Sequence, residues 1–262
     1  MPSLTLTFLG TGTSQGVPMI GCFCDICTSK DPRDQRTRTS VVVSDEKKNF
    51  LIDTTPDLRF QCLREGIHNV DAVLFTHPHT DHIMGFDDLR RFSELRDSEI
   101  PIYATSETMI KIKEAFSFVF DTPKPWKGYL RIIPHIIDGS FSLEDLEITP
   151  IALAHGAMTT QGFVFIKNKK KLLSYFTDCQ EVTSEAITAA TGSEILVLDA
   201  LRDKFHPTHL NFSSAILAAQ KIQAKKTYFI HFCHDVSHAQ KEASLPAGMF
   251  LAYDGLKVVL DS

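Results

Sequence analysis

The chain predicts a mixed α/β domain, and three observations carry that prediction. Short apolar runs with strand-like alternation fill the first third, segments with helical spacing interrupt them, and a second series of strands and helices follows from Leu130 onward. The 262 residues, 43% hydrophobic and 23% charged, suffice for a sizeable core and a solvated surface. No linker rich in Pro, Gly or Ser divides them, so one domain over 1–262 is expected.

The opening residues 1–8 alternate like a strand and lack the charged start and apolar centre of a signal peptide. Eighteen consecutive apolar residues occur nowhere, so the expectation is a cytoplasmic protein without a membrane partner. Residues 4–9, 40–43, 50–52 and 72–75 read as strands of one sheet. Between the last two, 56–66 has apolar residues at helical spacing, an acid in its first turn and Gly66 as a stop. A helix polar on one face is expected over 86–95. The next is clearer: Thr105 or Ser106 caps it, Glu107 lies in its first turn, and Met109, Ile110, Ile112, Ala115, Phe116 and Val119 form its apolar stripe. The aromatic group Phe116, Phe118, Phe120 and Trp126 reads as core packing, with a cover over a cleft or a subunit contact as its other uses. After Leu130 strands dominate, broken by helices over 182–190 and 213–223, the second burying Ala215, Ile216, Leu217, Ala219 and Ile222. The run Lys167-Asn168-Lys169-Lys170-Lys171 between two apolar stretches reads as a solvated hairpin tip.

Thr76-His77-Pro78-His79-Thr80-Asp81-His82 packs three imidazoles and a carboxylate into seven residues directly after a strand. Neutral imidazole and carboxylate suit zinc, manganese or iron, and a pair of such ions about 3.5–4 Å apart is a hydrolytic device. Three isolated candidates each follow a β-like run: His155, Asp178 and His231. A second motif, Cys22-Phe23-Cys24-Asp25-Ile26-Cys27, offers three thiolates to one ion; the fourth ligand of a closed tetrahedral zinc site is His234, with Cys233 as its competitor. Six cysteines, three of them so clustered, indicate a reduced protein with a metal clip rather than a disulfide framework. The net charge of −5, from 27 basic and 32 acidic residues, argues against a nucleic-acid partner. Arg33, Arg36 and Arg38, in a polar loop near the cysteines, either line a site for an anionic substrate or are exposed loop charges.

The order H-x-H-x-D-H, then His155, Asp178 and His231, resembles the metallo-β-lactamase superfamily of binuclear hydrolases, from Leu4 to about Val259. The resemblance implies a four-layer αββα sandwich with the active site at the edge of the two sheets. It places His77, His79 and His155 on one divalent ion (Mn2+, Zn2+ or Fe2+), Asp81, His82 and His231 on the other, and Asp178 between them. Within the superfamily, Gly10-Thr11-Gly12-Thr13-Ser14, the cysteine motif, Asp53-Thr54-Thr55-Pro56-Asp57-Leu58-Arg59 and the late H-x2-H look like the phosphoribosyl 1,2-cyclic phosphate phosphodiesterases, a branch related to tRNase Z. That branch carries a structural Zn2+ on three cysteines and a histidine. It also has an extra histidine before the last ligand, which His209 in His206-Pro207-Thr208-His209-Leu210 matches.

The expected function is hydrolysis of a small, cyclic phosphodiester such as a phosphoribosyl cyclic phosphate, with Asp81 orienting the attacking water and protonated His209 as general acid. Asp53 and Asp199, which follow apolar strands, either hold ligand imidazoles by their second nitrogens or are strand-end structural carboxylates. The alternatives are a tRNase Z-like nuclease, a glyoxalase II-like thioester hydrolase and a non-enzymatic metal-stabilised binding protein; the long substrate-binding arm of tRNase Z is not recognisable. By resemblance, a homodimer is expected.

Overall fold

The computed structural model describes residues 4–45, 47–121 and 128–260; within them fourteen strands form two seven-stranded sheets. In chain order the strands are β1 (Leu4–Gly10), β2 (Ser40–Ser44), β3 (Asn49–Ile52), β4 (Ala72–Leu74), β5 (Ile100–Ala104), β6 (Ile132–Ile136), β7 (Phe141–Leu143), β8 (Leu146–His155), β9 (Met158–Lys167), β10 (Lys170–Phe176), β11 (Ile195–Asp199), β12 (Lys226–Ile230), β13 (Met249–Leu251) and β14 (Lys257–Leu260). The first sheet runs β14-β1-β2-β3-β4-β5-β6 and the second β13-β12-β11-β10-β9-β8-β7. Each begins with antiparallel pairs, through β3 in the first and from β7 to β10 in the second, and continues with parallel ones. The two halves of the chain thus repeat one topology, and β14 crosses back to close the first sheet.

Alternation decides which face each side chain serves. In β2, Val41 and Val43 face the second sheet while Val42 faces outward, and all three are buried, because both faces of the sheet are covered. The layer between the sheets includes Phe8, Ile52 and Leu74 against Phe163, Phe165 and Tyr175. Phe8, Phe163 and Phe165 have no exposed surface, and each such ring contributes about 1.5–3 kcal/mol of burial. Outside the first sheet lie α1 (Leu58–Glu65), α2 (Thr80–Ile83), α3 (Leu89–Arg96), α4 (Ser106–Ala115) and α5 (Ser117–Phe120); outside the second lie α6 (Ser184–Ala190) and α7 (Phe212–Ile222), followed by α8 (His238–Glu242). The result is the αββα sandwich.

Local signals explain the helix ends. Thr105 caps α4 by accepting from Thr108 N, Asn211 and Ser214 form a capping box on α7, and Gly66 closes α1 at φ 68°. The helix expected from 56 starts only at Leu58, because the Asp57 carboxylate is turned to the backbone N–H and guanidinium of Arg38. The one expected over 86–95 is a 3₁₀ turn, Phe86–Asp88, before α3, with Phe86 buried against Phe75 and Phe116. Phe116 and Phe120 join this outer core, Phe118 is half exposed, and Trp126 lies outside the described residues. The lysine-rich run is the β9–β10 hairpin tip, with Asn168 and Lys169 at φ 52° and 66°. It is not wholly solvated: Lys167 is buried and paired with Asp145 at 2.8 Å. No described helix is long and apolar enough to cross a membrane.

Candidate metal centre

Strands β3, β4, β8, β10, β11 and β12 all end at one edge of the sandwich, and their last residues or those just beyond carry the polar side chains: Asp53, the Thr76–His82 segment, His155, Asp178, Asp199 and His231. Ligands gather outside the carboxyl ends of strands in open α/β sheets because the chain must leave the sheet there. The sheets are tied at this edge by backbone bonds from Gln161 N to Thr76 O (2.8 Å) and from Phe232 N to Thr11 O (3.1 Å). Asp53, Asp178 and His231 all hold left-handed backbone, at φ 65°, 50° and 66°. That conformation costs a non-glycine residue about 1 kcal/mol or more, and it turns each side chain into the cleft.

The ring nitrogens converge in two overlapping groups. His79 Nδ1 lies 3.0 Å from His77 Nε2 and 3.3 Å from His155 Nε2. Beside them, His82 Nε2 is 3.3 Å from Asp81 Oδ2 and 3.5 Å from Asp178 Oδ1, which is in turn 3.3 Å from His231 Nδ1. The other oxygen of Asp178 faces His77 Nε2 at 3.8 Å, so one carboxylate spans both groups. All seven residues expected as ligands are therefore gathered, and all but His79 are buried.

The chemistry of this set fits divalent metal. Burial, with the charge of His82, pushes His77 well below the usual histidine range, and burial likewise lowers His79 and His155. Neutral imidazoles keep the lone pair a metal takes. Burial opposes a charge on His82, yet Asp178, Asp81 and Asp53 together hold it well above that range. Its Nε2 is buried without a hydrogen-bond partner between two carboxylates, a place that a cation would satisfy.

Further polar groups orient the rings. Asp53 accepts from His82 Nδ1 (2.7 Å) and from Thr76 N and Oγ1 (2.8 and 2.7 Å). His155 Nδ1 donates to the Thr208 carbonyl at 2.8 Å, and Thr39 Oγ1 lies 3.3 Å from His231 Nδ1. Asp199, expected to hold a ligand imidazole, instead accepts from His209 Nδ1 at 2.9 Å and from Cys179 N. Burial works against a charge on His209, but Asp199 and then Asp178 raise it to about 9, which favours its protonated form. The roles of Thr76, Thr39 and the Thr208 carbonyl carry no sequence signal, since threonines and peptide carbonyls occur everywhere.

A second cluster lies on the loop before β2. The Sγ atoms of Cys22, Cys24 and Cys27 stand 3.3, 3.4 and 3.8 Å from His234 Nδ1, while Cys233 is outside this group, its sulfur accepting from Asp235 N. The Cys27 backbone N–H, foremost, lowers the Cys24 thiol to about 6, which favours the thiolate that zinc binds. The neighbouring arginines are each engaged by a carboxylate. Arg36 is fully buried, paired with Asp34 at 2.8 Å and donating to the carbonyls of Cys233 and Val236; Arg33 is bound to Asp31 and Arg38 to Asp57. Arg36 thus fastens the cysteine loop to the segment that carries His234, a role that composition gives no hint of.

Known proteins match this architecture. The model of the β-lactamase superfamily domain matches residues 48–232. A solved structure described as a new diphosphatase from the PhnP family superposes with a TM-score of 0.89 at 40% identity, over 97% of both chains. Zinc-bound PqqB from Methylobacterium extorquens, at 20% identity, has the same fold with a TM-score of 0.79 over 97% of this chain and 99% of its own. An octanoyltransferase of Porphyromonas gingivalis is 35% identical over 257 residues, 97% of this chain and 51% of that protein, so the chain spans about half the length of this relative. The clustered histidines and carboxylates at the sheet edge form a donor set that suits divalent metal, and these likenesses show that the chain belongs to the β-lactamase superfamily, within its PhnP family.

Proposed function

We propose that the protein is a two-metal phosphodiesterase acting on a small, cyclic phosphodiester. The observation that supports this best is the part-buried His209–Asp199 pair on the rim of the histidine and aspartate cluster: a proton donor beside a site for cations is what loss of an alkoxide from phosphorus requires. His77, His79 and His155 would hold one ion (Mn2+, Zn2+ or Fe2+), Asp81, His82 and His231 the other, and Asp178 both. Such ions acidify water and neutralise phosphoryl oxygens. Asp53 keeps His82 in the tautomer that presents Nε2, and Asp81 helps to orient the water. Asp199 holds the His209 ring by Nδ1 and stabilises its positive form, so that the other nitrogen gives its proton to the leaving oxygen. Cys22, Cys24, Cys27 and His234 would hold a structural zinc. The protein would act in the cytoplasm.

A second reading, cleavage of a diphosphate bond, is favoured by the PhnP-family relative described as a diphosphatase. Hydrolysis by the manganese- or zinc-loaded protein of bis(p-nitrophenyl) phosphate, ribose cyclic phosphates, a dinucleoside diphosphate, a glutathione thioester and a tRNA precursor tests both. Turnover of the ribose cyclic phosphates supports the first reading. Turnover of the diphosphate alone selects the second, and cleavage of only the tRNA precursor or only the thioester overturns both.

A further inference from the structure

The two halves of the molecule repeat one topology, so the helices over one sheet serve as a control for those over the other, and their outer surfaces differ. On α1–α5 five large apolar side chains stand out into solvent: Phe60 (57% exposed), Leu63 (65%), Leu95 (57%), Ile110 and Phe118. On α6–α8 only Leu217 does so among the described residues. Single apolar side chains on a surface need no explanation, but a set that continues into a groove does. Between α1 and α3 lies such a groove, of about 360 Å³, walled by Leu58, Cys62, Leu63, Ile67, Phe92 and Leu95. Phe60 projects from α1 three residues before Leu63, with the Arg64 guanidinium over its ring at 5.6 Å. Arg59, His68, Asp88 and Arg91 form the polar rim. Arg91 is taken by Glu94 at 2.8 Å, whereas Arg59 and Asp88 sense each other's charge but close no ion pair within the chain among the described residues.

We propose that this face is the contact between two copies of the chain. A twofold pairing asks one patch to carry both halves of the fit. Here the projecting Phe60 and Leu63 stand beside a groove able to receive the same side chains of a second copy. The rim likewise offers an uncommitted cation and an uncommitted anion, so that Arg59 of each copy meets Asp88 of the other. Self-complementarity of shape and of charge is what distinguishes a second copy from other occupants. A small apolar ligand could fill the groove but would leave Phe60 in water. The buried leucines and phenylalanine would supply the affinity, and the two charge contacts at the rim would fix the register.

Sedimentation equilibrium of the metal-loaded full chain at micromolar concentration tests this. The parent should be a dimer, and Leu63→Glu, which puts a charge on an already exposed position, should weaken it at least about a hundredfold. Leu217→Glu, on the corresponding helical layer of the other half, should leave the dimer intact. Arg59→Glu alone and Asp88→Lys alone should each weaken self-association at least about tenfold, because like charges then meet twice. An equimolar mixture of these two variants should form a mixed dimer of nearly parental affinity, since both contacts again join opposite signs. Misfolded variants could not rescue each other in this way. A monomeric parent would overturn the proposal and leave the groove to a different occupant. A dimer that survives Leu63→Glu unchanged, one broken by Leu217→Glu, or a mixture that associates no better than either single variant would overturn it as well.

Discussion

The two clusters of metal-ligating side chains are built in opposite ways. The histidine and aspartate cluster draws on both sheets, from the ends of β4, β8, β10 and β12, and its partners Asp53, Thr76 and Thr208 fix ring orientations from behind. The cysteine cluster takes three of its four members from one six-residue loop, and only His234 comes from elsewhere. A site made from many strand ends is held by the fold and can leave positions open for substrate. A site in which three thiols and one imidazole already make four ligands is closed, so its metal would hold the loop to the chain end. His231 and His234, three residues apart, join the two: one faces the cleft, the other the loop. A single turn of chain therefore couples a centre suited to chemistry with one suited to stability.

His209→Ala probes the open centre and carries the largest expected effect. His209 touches the cluster without being among the seven proposed ligands, so the variant should keep its catalytic metals, measured by mass spectrometry, while turnover of a ribose cyclic phosphate falls about 10²–10⁴-fold. Loss of metal in step with activity would make His209 a ligand and erase the line drawn between holding ions and moving protons.

Cys24→Ala probes the closed cluster. It should lose about one equivalent of zinc and lower Tm by about 5 °C or more, which roughly 2 kcal/mol amounts to in a domain of this size. Activity per folded molecule should change far less than in His209→Ala. Abolished activity with zinc content and Tm unchanged would mean that the thiols act in the chemistry, and the contrast between the two clusters would collapse.

How much of this the sequence discloses follows from the range of the interactions. His77 to His82 and Cys22 to Cys27 are local, so their spacing exposes them. Helix α4 and its Thr105 cap are equally local. The fold class follows from alternation, but the strand order does not: β14 pairs with β1 across the whole chain, and only the family resemblance supplied the sandwich. Asp254 is a sharper case. Nothing around it marks it, yet its two oxygens accept from the backbone and hydroxyl groups of Thr11 and Thr37 at 2.6–2.9 Å, locking the loops on either side of the cysteine motif. The arginines of that loop mislead for the same reason. A guanidinium in a polar stretch looks solvated until a carboxylate two residues earlier and carbonyls about two hundred residues later are brought around it, as for Arg36.

His238 refines the comparison at the smallest scale, because it sits where Arg36 fastens the cysteine loop to the chain end. The ring is buried beside Tyr253, its Nδ1 has no hydrogen-bond partner, and its backbone N–H donates to Asp34 Oδ1 at 2.8 Å. Burial first, then the charges of Arg33 and Arg36, lower it from 6.5 to about 4. A group lowered in this way is neutral in the folded protein while the unfolded chain takes up a proton below about 6.5. Its contribution to stability is thus complete above about 6.5 and is lost progressively as the pH falls toward about 4. Replacing the ring by an uncharged amide, His238→Gln, removes this titration but not those of the metal ligands. The urea midpoint of the parent should then fall more between pH 7 and pH 4.5 than that of the variant. Equal losses would assign acid sensitivity to the two clusters themselves, and the fastening between them would carry no pH dependence of its own.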